Sequence, residues 1–386
     1  PPVVSGTSIL AARIAEWMSP YHEVGMICPK YSFEENRNYN FKLFRLPSAP
    51  IILRKEFNFI LPIPGLIKET FKRFNPDVVH IYDPSPASLI LLKLAEKRGI
   101  PAIVSHFFYP QFLLEYLRVA PTATGGKPGK LATLILRTIM KQYKGARKIV
   151  VLTRMIKDYI GQMTNIPIEV ISAGVDYESF SRMTKRQITD ICRRYLIPEK
   201  PWILYVGRLD QDKNLPTMIR AWGNICQRYR DKILLLVGNG TIRGELEKLT
   251  RDLGISKQVY FSGTMPETDL PAVYLSRFAQ TFYITSKVET QSIATLQALA
   301  AGLPVVAANS GALPELVHSG VNGLLCNPDE SSDYEKSLIT VLSWKDRKKK
   351  IRQYSQRLAK RHDFPLSRLL YLRLYKEIID SHQITP

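Results

Sequence analysis

The sequence predicts an α/β protein of two doubly wound domains, each with a parallel sheet covered by helices on both faces. A chain of 386 residues with 45% hydrophobic content is long enough and apolar enough to build two cores. Short β-branched runs alternate with longer segments of helical periodicity, which is typical of parallel sheets. The pattern breaks once, in a polar stretch near residues 179–201, where we place the joint between the domains.

In the first half, strands are predicted at 23–28, 78–82, 102–105, 148–153 and 168–172. Helical periodicity covers 66–74 and 87–97. A domain of this kind should open with a buried strand, yet only Val3 and Val4 precede the Ser5-Gly6-Thr7 turn. We therefore expect the first strand to be missing from the start of this sequence.

The second half repeats the alternation, with strands predicted at 202–206, 233–237, 259–262, 280–285 and 304–307. The predicted domains are therefore 1–185 and 186–363. Residues 366–379 have the pattern of an amphipathic helix, and we expect the segment 364–386 to pack back on the N-terminal domain.

The net charge and the cysteines of the sequence exclude some classes of protein but do not identify one. The net charge of +20 attracts polyanions in general, such as nucleic acid, anionic lipid or phosphorylated substrates. We find no nucleic-acid-binding module and expect no nucleic-acid partner. The four cysteines are scattered, which argues against a zinc site or a disulfide framework and favours a cytoplasmic location. No apolar run approaches the roughly 20 residues that span a bilayer.

Two strand-to-glycine turns are candidates for a ligand site. After the strand 202–206, Gly207 is followed by Arg208 and Lys213, which could neutralise a diphosphate near the start of the next helix. Asp210 and Asp212 in the same stretch resemble an Asp-x-Asp metal site, but their spacing to Lys213 fits the diphosphate motif better.

The second turn contains Gly238 and Gly240, where small residues let a ligand approach the backbone. Together with Gly244, these glycines superficially resemble the Gly-x-Gly-x-x-Gly turn that binds dinucleotides. A nicotinamide dehydrogenase is nevertheless disfavoured, because the spacing to Gly244 is one residue too long.

The segment 284–306 is the most informative. A polar loop containing Glu289 leads into a helix of small residues, and an Ala-x-Gly-Leu-Pro-Val-Val run then starts another strand. Together with Gly207-Arg208, Lys213 and the Val-Gly-Asn-Gly turn, this order resembles the retaining glycosyltransferases of family 4. The resemblance covers nearly the whole chain and is strongest over 205–327. It implies the GT-B fold, in which an acceptor-binding and a nucleotide-sugar-binding Rossmann-like domain face a cleft.

The resemblance also implies roles for individual residues. Arg208 and Lys213 would bind the donor diphosphate, Glu289 would hold hydroxyls of the transferred sugar, and His106 matches the family's active-site histidine. The other positions carried over to the donor site are Gly6, Gly207, Gly238, Thr290, Gln291, Ser292 and Gln297. No metal or other cofactor is expected, because these cations can stabilise the leaving diphosphate.

The sequence departs from the family pattern at two positions. The second Glu of the Glu-x7-Glu motif is Gln297, and an amide offers one acceptor oxygen where a carboxylate offers two. The usual Asn-Gly-Val-Asp turn begins with Ala173. A non-catalytic sugar-nucleotide binder therefore stays an alternative to an enzyme.

A basic stretch bears on the acceptor. Residues 118–157 contain ten Lys and Arg but no acid, and within them Arg137, Lys141 and Lys144 recur at helical spacing opposite Leu131, Ile135, Ile139 and Tyr143. Such a helix could rest on anionic lipid or could be an ordinary core-facing helix with a solvated side.

The sequences around Glu289 and His106 also resemble the diacylglycerol glucosyltransferases of the family. They favour a UDP-sugar donor and a lipid acceptor, with peripheral contact to the inner face of the plasma membrane. A polysaccharide or other soluble acceptor is the alternative.

Overall fold

A computed structural model of the chain describes residues 6–31, 38–51, 54–107 and 129–383. The chain divides into two compact units. Unit 1 contains the described parts of residues 1–109, 133–172 and 365–386, and unit 2 contains those of 110–132 and 173–364. The predicted cleft between two domains stays a prediction.

Among the described residues, the predicted domain limits, 1–185, 186–363 and 364–386, differ from these units mainly at residues 173–185. These residues belong to unit 2, because Val175 N–H donates to the carbonyl of His362 at 2.8 Å and Tyr177 N–H donates to Asp363 Oδ1 at 3.1 Å. The C-terminal segment 365–386 is grouped with unit 1.

Unit 1 contains two parallel pieces of sheet and one antiparallel hairpin. Its strands are β1 (Gly25–Pro29), β2 (Lys42–Leu46), β3 (Ser48–Ile51), β4 (Arg54–Ile60), β5 (Val79–Ile81), β6 (Ala102–Ser105), β7 (Lys148–Val151) and β8 (Ile168–Val170). The parallel pieces are the pair β1-β2 and the sheet β5-β6-β7-β8, and β3 pairs with β4 in the antiparallel sense. Ala102, Ile103 and Val104 of β6 are fully buried, as expected for a central parallel strand.

A cavity of about 540 Å³ lies in unit 1 between its two parallel pieces of sheet. Met26 and Ile27 of β1, Ile81 of β5, and Ala12 and Ala15 of the first helix line it. Residues 1–5, where the sequence raised the question of an opening strand, lie outside the described residues. That expectation stays a prediction.

The helices of unit 1 flank these sheets. They are α1 (Gly6–Met18), α2 (Pro64–Phe74), α3 (Pro86–Lys97), α4 (Lys130–Gln142, whose first three residues are grouped with unit 2), α5 (Arg154–Gly161) and the C-terminal helix, which is α14 (Phe364–Gln383). The start of α3 shows how the sequence sets a boundary: Ser85 Oγ accepts from Ser88 N–H at 3.3 Å, and Pro86 occupies the first turn.

Unit 2 is built on a six-stranded parallel sheet. Its strands are β9 (Trp202–Val206), β10 (Ile233–Val237), β11 (Val259–Gly263), β12 (Ala279–Ile284), β13 (Val305–Ala308) and β14 (Gly323–Cys326). Their order is β11-β10-β9-β12-β13-β14. Every residue of β9 and β10 is buried, which explains why both read as continuous apolar runs in the sequence.

The helices of unit 2 precede, connect and follow these strands along the chain. They are α6 (Tyr177–Arg182), α7 (Lys185–Arg194), α8 (Leu215–Ile225), α9 (Arg243–Asp252), α10 (Leu270–Leu275), α11 (Ile293–Ala301), α12 (Ser331–Leu342) and α13 (Lys348–Lys360).

The strand order of unit 2 indicates where a ligand would bind. The chain adds β10 and β11 on one side of β9 and then β12, β13 and β14 on the other, so the direction reverses between β9 and β12. In open α/β sheets, ligands bind outside the carboxyl ends of the strands at such a reversal. The loops that follow β9 and β12, residues 207–214 and 285–292, are therefore the place to look for a site.

Candidate functional site

Five charged side chains on these two loops form a chain of alternating sign. The Arg208 guanidinium contacts Asp210 through Nη1 and Asp212 through Nη2, the latter at 3.3 Å from Oδ2. Asp212 also lies 3.3 Å from the Lys213 ammonium, which in turn donates to Glu289 Oε1 at 2.8 Å. The structure thus brings together the three residues predicted to bind the donor diphosphate and the sugar. Asp212 bridges the two cations, and Asp210 contacts Arg208 alone of the three.

The contacts of the two aspartates with the cations were not predicted from the sequence, which offered only a disfavoured Asp-x-Asp metal site for them. Asp210 and Asp212 are buried, with side chains 4% and 6% exposed. A buried carboxylate needs a counter-charge or several hydrogen bonds, and here Arg208 supplies the charge to both. Among the described residues, no group of three or more His, Cys, Asp or Glu side chains is arranged to hold a metal ion.

The ammonium of Lys213 sits in a largely buried, anionic setting. Burial alone would lower the pKa of Lys213, but the carboxylates of Glu289 and Asp212 outweigh burial and raise the pKa above its usual value. The lysine therefore stays charged at neutral pH. The hydroxyl of Tyr205 donates to the carbonyl of Arg208 at 2.8 Å, and burial raises its pKa well above its usual value.

Glu289 is held by its backbone as well as by Lys213. Its carbonyl accepts from Ala312 N–H at 2.9 Å, and a Cβ on Gly311, which has φ +55°, would lie 2.5 Å from that carbonyl oxygen. Only glycine fits this approach. Glu289 Oε2 has no hydrogen-bond partner in the described part of the chain, so it is left for an external donor such as a sugar hydroxyl.

The family resemblance assigned the three residues that follow Glu289 to the donor site. In the structure, two of them make hydrogen bonds within the protein. Gln291 Oε1 accepts from Ala173 N–H at 2.7 Å, which holds the turn whose usual asparagine is replaced by Ala173. Ser292 caps α11 and accepts from Thr295 N–H at 3.2 Å. Thr290 is half-buried on the same loop.

Gln297 lies in the middle of α11 and is buried. Its Oε1 accepts from the hydroxyl of Tyr274 at 3.2 Å, and that hydroxyl also contacts the Ala294 carbonyl at 3.1 Å. The single acceptor oxygen that the sequence assigned to a ribose is therefore engaged by a tyrosine in this structure.

The glycines of the two turns pack against each other. A Cβ on Gly238, which has φ +142°, would lie 1.9 Å from the carbonyl oxygen of Gly207, and Gly207 N–H donates to the Val237 carbonyl at 3.0 Å. In the sequence analysis, a glycine at position 238 was explained by the close approach of a ligand to the backbone. Close packing of the two turns already requires glycine there.

His106 and Gly6 belong to unit 1. His106 is 3% exposed, its Nδ1 lies 3.4 Å from the Tyr143 hydroxyl, and its Nε2 is buried with no hydrogen-bond partner among the described residues. Burial lowers the pKa of His106 to about 4, so the ring is neutral at physiological pH. Gly6 is exposed at the first residue of α1, where a Cβ would meet open space.

Helix α4 and the turn after it carry the basic residues that the sequence singled out. Arg137 and Lys141 on the helix and Lys144 in the turn are exposed, and Leu134 on the helix is 62% exposed. None of the helices in the described ranges combines the length and hydrophobicity needed to cross a bilayer.

The predicted apolar stripe of α4 is only partly correct. Ile139 and Tyr143 are buried, whereas Leu131 is 43% exposed and Ile135 is half-buried. Four-residue steps drift around a helix of 3.6 residues per turn, so Leu131 and Tyr143 cannot share one face. The buried stripe instead follows Ala132, Leu136, Ile139, Met140 and Tyr143.

Comparison with solved structures supports the fold. Sucrose-phosphate synthase from Thermosynechococcus elongatus superposes with a TM-score of 0.80 at 17% identity, covering 98% of this chain and 94% of that one. Anabaena HepE in complex with UDP-glucose gives a TM-score of 0.75 at 17% identity over 98% and 97% of the two chains. At these identities the likeness shows the fold alone.

Relatives of known name share more of the sequence. The sulfoquinovosyl transferase of Arabidopsis thaliana is 27% identical over 308 residues, and the α-monoglucosyldiacylglycerol synthase of Acholeplasma laidlawii is 25% identical over 358 residues. The alignments cover 78% and 88% of this chain but 56% and 85% of the relatives. A D-inositol 3-phosphate glycosyltransferase of Corynebacterium kroppenstedtii is 33% identical over 47% of this chain and 42% of its own length.

Two family models divide the chain between them. Residues 4–179 match the model described as glycosyltransferase family 4, and residues 188–358 match the model of glycosyl transferases group 1. The two matches meet near the predicted joint and together cover most of the sequence. The resemblance first seen in the motifs from Tyr205 onward is confirmed: the chain belongs to the GT-B glycosyltransferases of family 4.

Proposed function

We propose that this protein is a retaining glycosyltransferase that moves a hexose from a UDP-sugar to a membrane-associated lipid acceptor such as diacylglycerol. The observation that carries the proposal is the contact between Lys213 and Glu289, with Arg208 linked to Lys213 through Asp212. Two cations and one carboxylate thus lie together at the reversal point of the sheet, which supports binding of a diphosphate and a sugar there.

The chemistry follows from these charges. As the bond between the anomeric carbon and the donor phosphate breaks, negative charge grows on the departing diphosphate, and Arg208 and Lys213 stabilise it in place. The acceptor hydroxyl attacks the same face of the sugar, and its proton passes to the departing phosphate oxygen. Glu289 Oε2 accepts hydrogen bonds from the sugar. His106 of unit 1 stays a predicted active-site residue. No metal takes part in this scheme.

The donor base and the acceptor are inferred from relatives. HepE, whose structure holds UDP-glucose, supports a UDP-sugar only by analogy, because its likeness to this chain is one of fold. The names of the Arabidopsis and Acholeplasma relatives, a sulfoquinovosyl transferase and a monoglucosyldiacylglycerol synthase, support a glycolipid product. The exposed basic side of α4, with Leu134 beside it, has the composition of a helix that rests on anionic lipid.

Substitution of the cations tests the donor site. We expect Arg208→Ala and Lys213→Ala to slow transfer from UDP-glucose at least 100-fold, as removal of a preorganised charge typically does. Arg186→Ala is the matched control, since Arg186 is an exposed arginine of the same unit, and it should leave turnover unchanged. Wild-type turnover in both site variants would refute the donor role. Donor binding without any transfer or hydrolysis would instead favour the non-catalytic binder.

Co-sedimentation with vesicles tests whether the protein binds an anionic membrane surface. We expect binding to vesicles containing phosphatidylglycerol at low salt and its loss at high salt, because each basic residue contributes about 1 kcal/mol near an anionic surface. Charge reversal of Arg137, Lys141 and Lys144 should weaken binding more than reversal of Lys68, Lys72 and Arg73, which are exposed on α2 of the same unit. Equal losses in the two triple variants, or no binding at low salt, would contradict a lipid surface for α4.

A further inference from the structure

Asp210 joins the two glycine turns of unit 2 through one buried carboxylate. One of its oxygens contacts Arg208 Nη1, and the other accepts from Thr241 N–H at 2.9 Å and from Thr241 Oγ1 at 3.0 Å. Thr241 directly follows Gly240 in the loop after β10, whereas Arg208 lies in the loop after β9. The position of the guanidinium is therefore linked to the backbone of the neighbouring loop.

The hydrogen bonds of Arg208 show what this link achieves. A guanidinium has five N–H groups. Arg208 contacts Asp210 through Nη1 and Asp212 through Nη2, and it has no other hydrogen-bond or ion-pair partner among the described residues. Its side chain is 33% exposed. The remaining N–H groups are thus left for an external anion.

Asp212 alone would hold this arginine loosely. Its oxygens lie 3.3 and 3.4 Å from Nη2, longer than the roughly 2.7–2.9 Å of a strong charged hydrogen bond. A free arginine side chain has many rotamers, and this freedom must be lost whenever the guanidinium is needed in one orientation. Asp210, fixed from behind by Thr241, removes that freedom in advance.

We propose that Asp210 is a positioning residue, which holds the guanidinium of Arg208 in the orientation that meets a nucleotide diphosphate as its charge develops. The inference deepens the proposed function and rests on it. Asp210 itself does not touch the donor, because its two oxygens face Arg208 and Thr241.

The role predicts opposite effects on binding and on turnover. Asp210→Asn removes a negative charge beside Arg208, so attraction of the guanidinium for a bound diphosphate is retained or strengthened. The same change weakens the contact that orients the guanidinium, so stabilisation of the departing diphosphate is lost. A residue that only supported the fold would lower binding and turnover together.

The experiment measures kcat and KM for UDP-glucose and the Kd for UDP in wild type, Asp210→Asn and Thr241→Val. For Asp210→Asn we expect kcat to fall at least tenfold, with KM and Kd unchanged within threefold or smaller. Thr241→Val keeps the N–H but removes the hydroxyl, and should lower kcat two- to fivefold with the same pattern. Asp210→Glu, which keeps a carboxylate, should recover part of the lost turnover. Asp252→Asn, a change to an exposed acid of the same unit, is the control for charge.

Either of two results would overturn the assignment: wild-type kcat in a folded Asp210→Asn protein, or a rise in the Kd for UDP that matches the loss of kcat. If Asp210→Asn does not fold, wild-type kcat in Thr241→Val would overturn it. A wild-type protein that neither binds UDP nor turns over any nucleotide sugar would remove the proposed function and this role with it. An active wild type with a neutral Asp210→Asn removes this role alone.

Discussion

Gln297 is the residue at which this chain differs most clearly from its family's pattern. A carboxylate there could accept from both ribose hydroxyls, while the amide oxygen present accepts from Tyr274. Gln297→Glu keeps an acceptor for Tyr274 and adds a second one. We therefore expect the Kd for UDP to fall about three- to tenfold, which corresponds to roughly 1 kcal/mol, a typical net contribution of one added hydrogen bond.

Isothermal titration with UDP checks this prediction. Gln297→Leu is the contrasting variant, since it leaves the Tyr274 hydroxyl with the Ala294 carbonyl as its acceptor and should cost about 1 kcal/mol of stability without improving binding. A folded Gln297→Glu protein that binds UDP no more tightly than wild type would show that position 297 does not face the ribose.

Because His80 is buried, we expect unit 1 to lose stability as the pH falls. Its ring is hydrogen-bonded to Tyr375, Tyr82 and Ser105, and burial lowers its pKa from 6.5 to about 3. The folded state therefore holds His80 neutral, whereas the unfolded chain takes up a proton as pH falls below about 6.5. The stability that His80 contributes is complete above pH 6.5 and is lost progressively between pH 6.5 and about 3.

Urea unfolding of wild type and His80→Gln at pH 7.5 and 5.0 measures this effect. The difference in unfolding free energy between the two proteins should shrink by about 2 kcal/mol at the lower pH, because one pKa unit corresponds to 1.36 kcal/mol. A difference that is the same at both pH values would contradict a buried neutral ring.

The motifs in the sequence identified Arg208, Lys213 and Glu289, and their roles in binding a donor stay predictions. In the structure these residues follow the ends of β9 and β12, and Lys213 contacts Glu289. Asp210 and Thr241 could not be assigned in the same way. Their contact joins loops 31 residues apart, and no periodicity or spacing encodes it.

Among the elements, the two glycine turns give the sharpest prediction. Gly238→Ala would place a Cβ 1.9 Å from the Gly207 carbonyl oxygen, so the loop after β10 would have to move. We expect it to cost about 2–4 kcal/mol of unfolding free energy, in the range of severe backbone clashes. Gly244→Ala is the matched control, because Gly244 lies in helix α9 and a Cβ there would meet nothing within 4 Å.

Denaturant unfolding distinguishes the two alanine variants. Gly244→Ala should be neutral or gain up to about 1 kcal/mol from higher helix propensity. Equal stability of the Gly238 and Gly244 variants would mean that the turns do not pack as described.

The elements that the sequence predicted are those with a strong apolar signal. All ten predicted strands have a counterpart, and β6, β9 and β10 match their predicted limits within one residue, because each is a short run of buried residues. Strands β2, β3, β4 and β14 were missed. The residues of β2 and β3 are largely half-buried or exposed, and β14 is only four residues long and begins with a glycine, so no continuous apolar run marks these three strands.

At the scale of the whole molecule, unit 1 depends on the end of the chain. The Tyr375 side chain on α14 contacts His80, and Glu377 pairs with Lys148 at 2.8 Å. Tyr371 and Leu374 of the same helix are buried. Removal of α14 would therefore leave His80 and Lys148 without these partners and expose apolar surface.

Truncation after Phe364 tests this dependence. We expect amide hydrogen exchange to accelerate at least tenfold in β5, β6 and β7 while β9 and β10 stay protected, because the contacts of α14 described above lie in unit 1. The ion pair alone should matter little, since Glu377 is 62% exposed, and Glu377→Gln serves as the mild control. Unchanged exchange in β6 would contradict a structural role for the helix.

The net charge of +20 is also distributed unevenly over the molecule. Residues 345–361 contain nine Lys and Arg and one Asp, and all nine basic residues are exposed on or beside helix α13 of unit 2. Charge reversal on α4 is therefore expected to weaken binding to anionic vesicles without abolishing it.

The hydrogen bond between His80 and Tyr375 spans 295 residues of sequence, which has a consequence for the order of folding. A ribosome makes the chain from its amino end, so β5 emerges long before the helix that completes its surroundings. Unit 2 lies almost wholly within that interval and has its full sequence first. During synthesis unit 1 stays incomplete until α14 has been made, and a premature stop before Tyr375 would damage the part of unit 1 that was translated first.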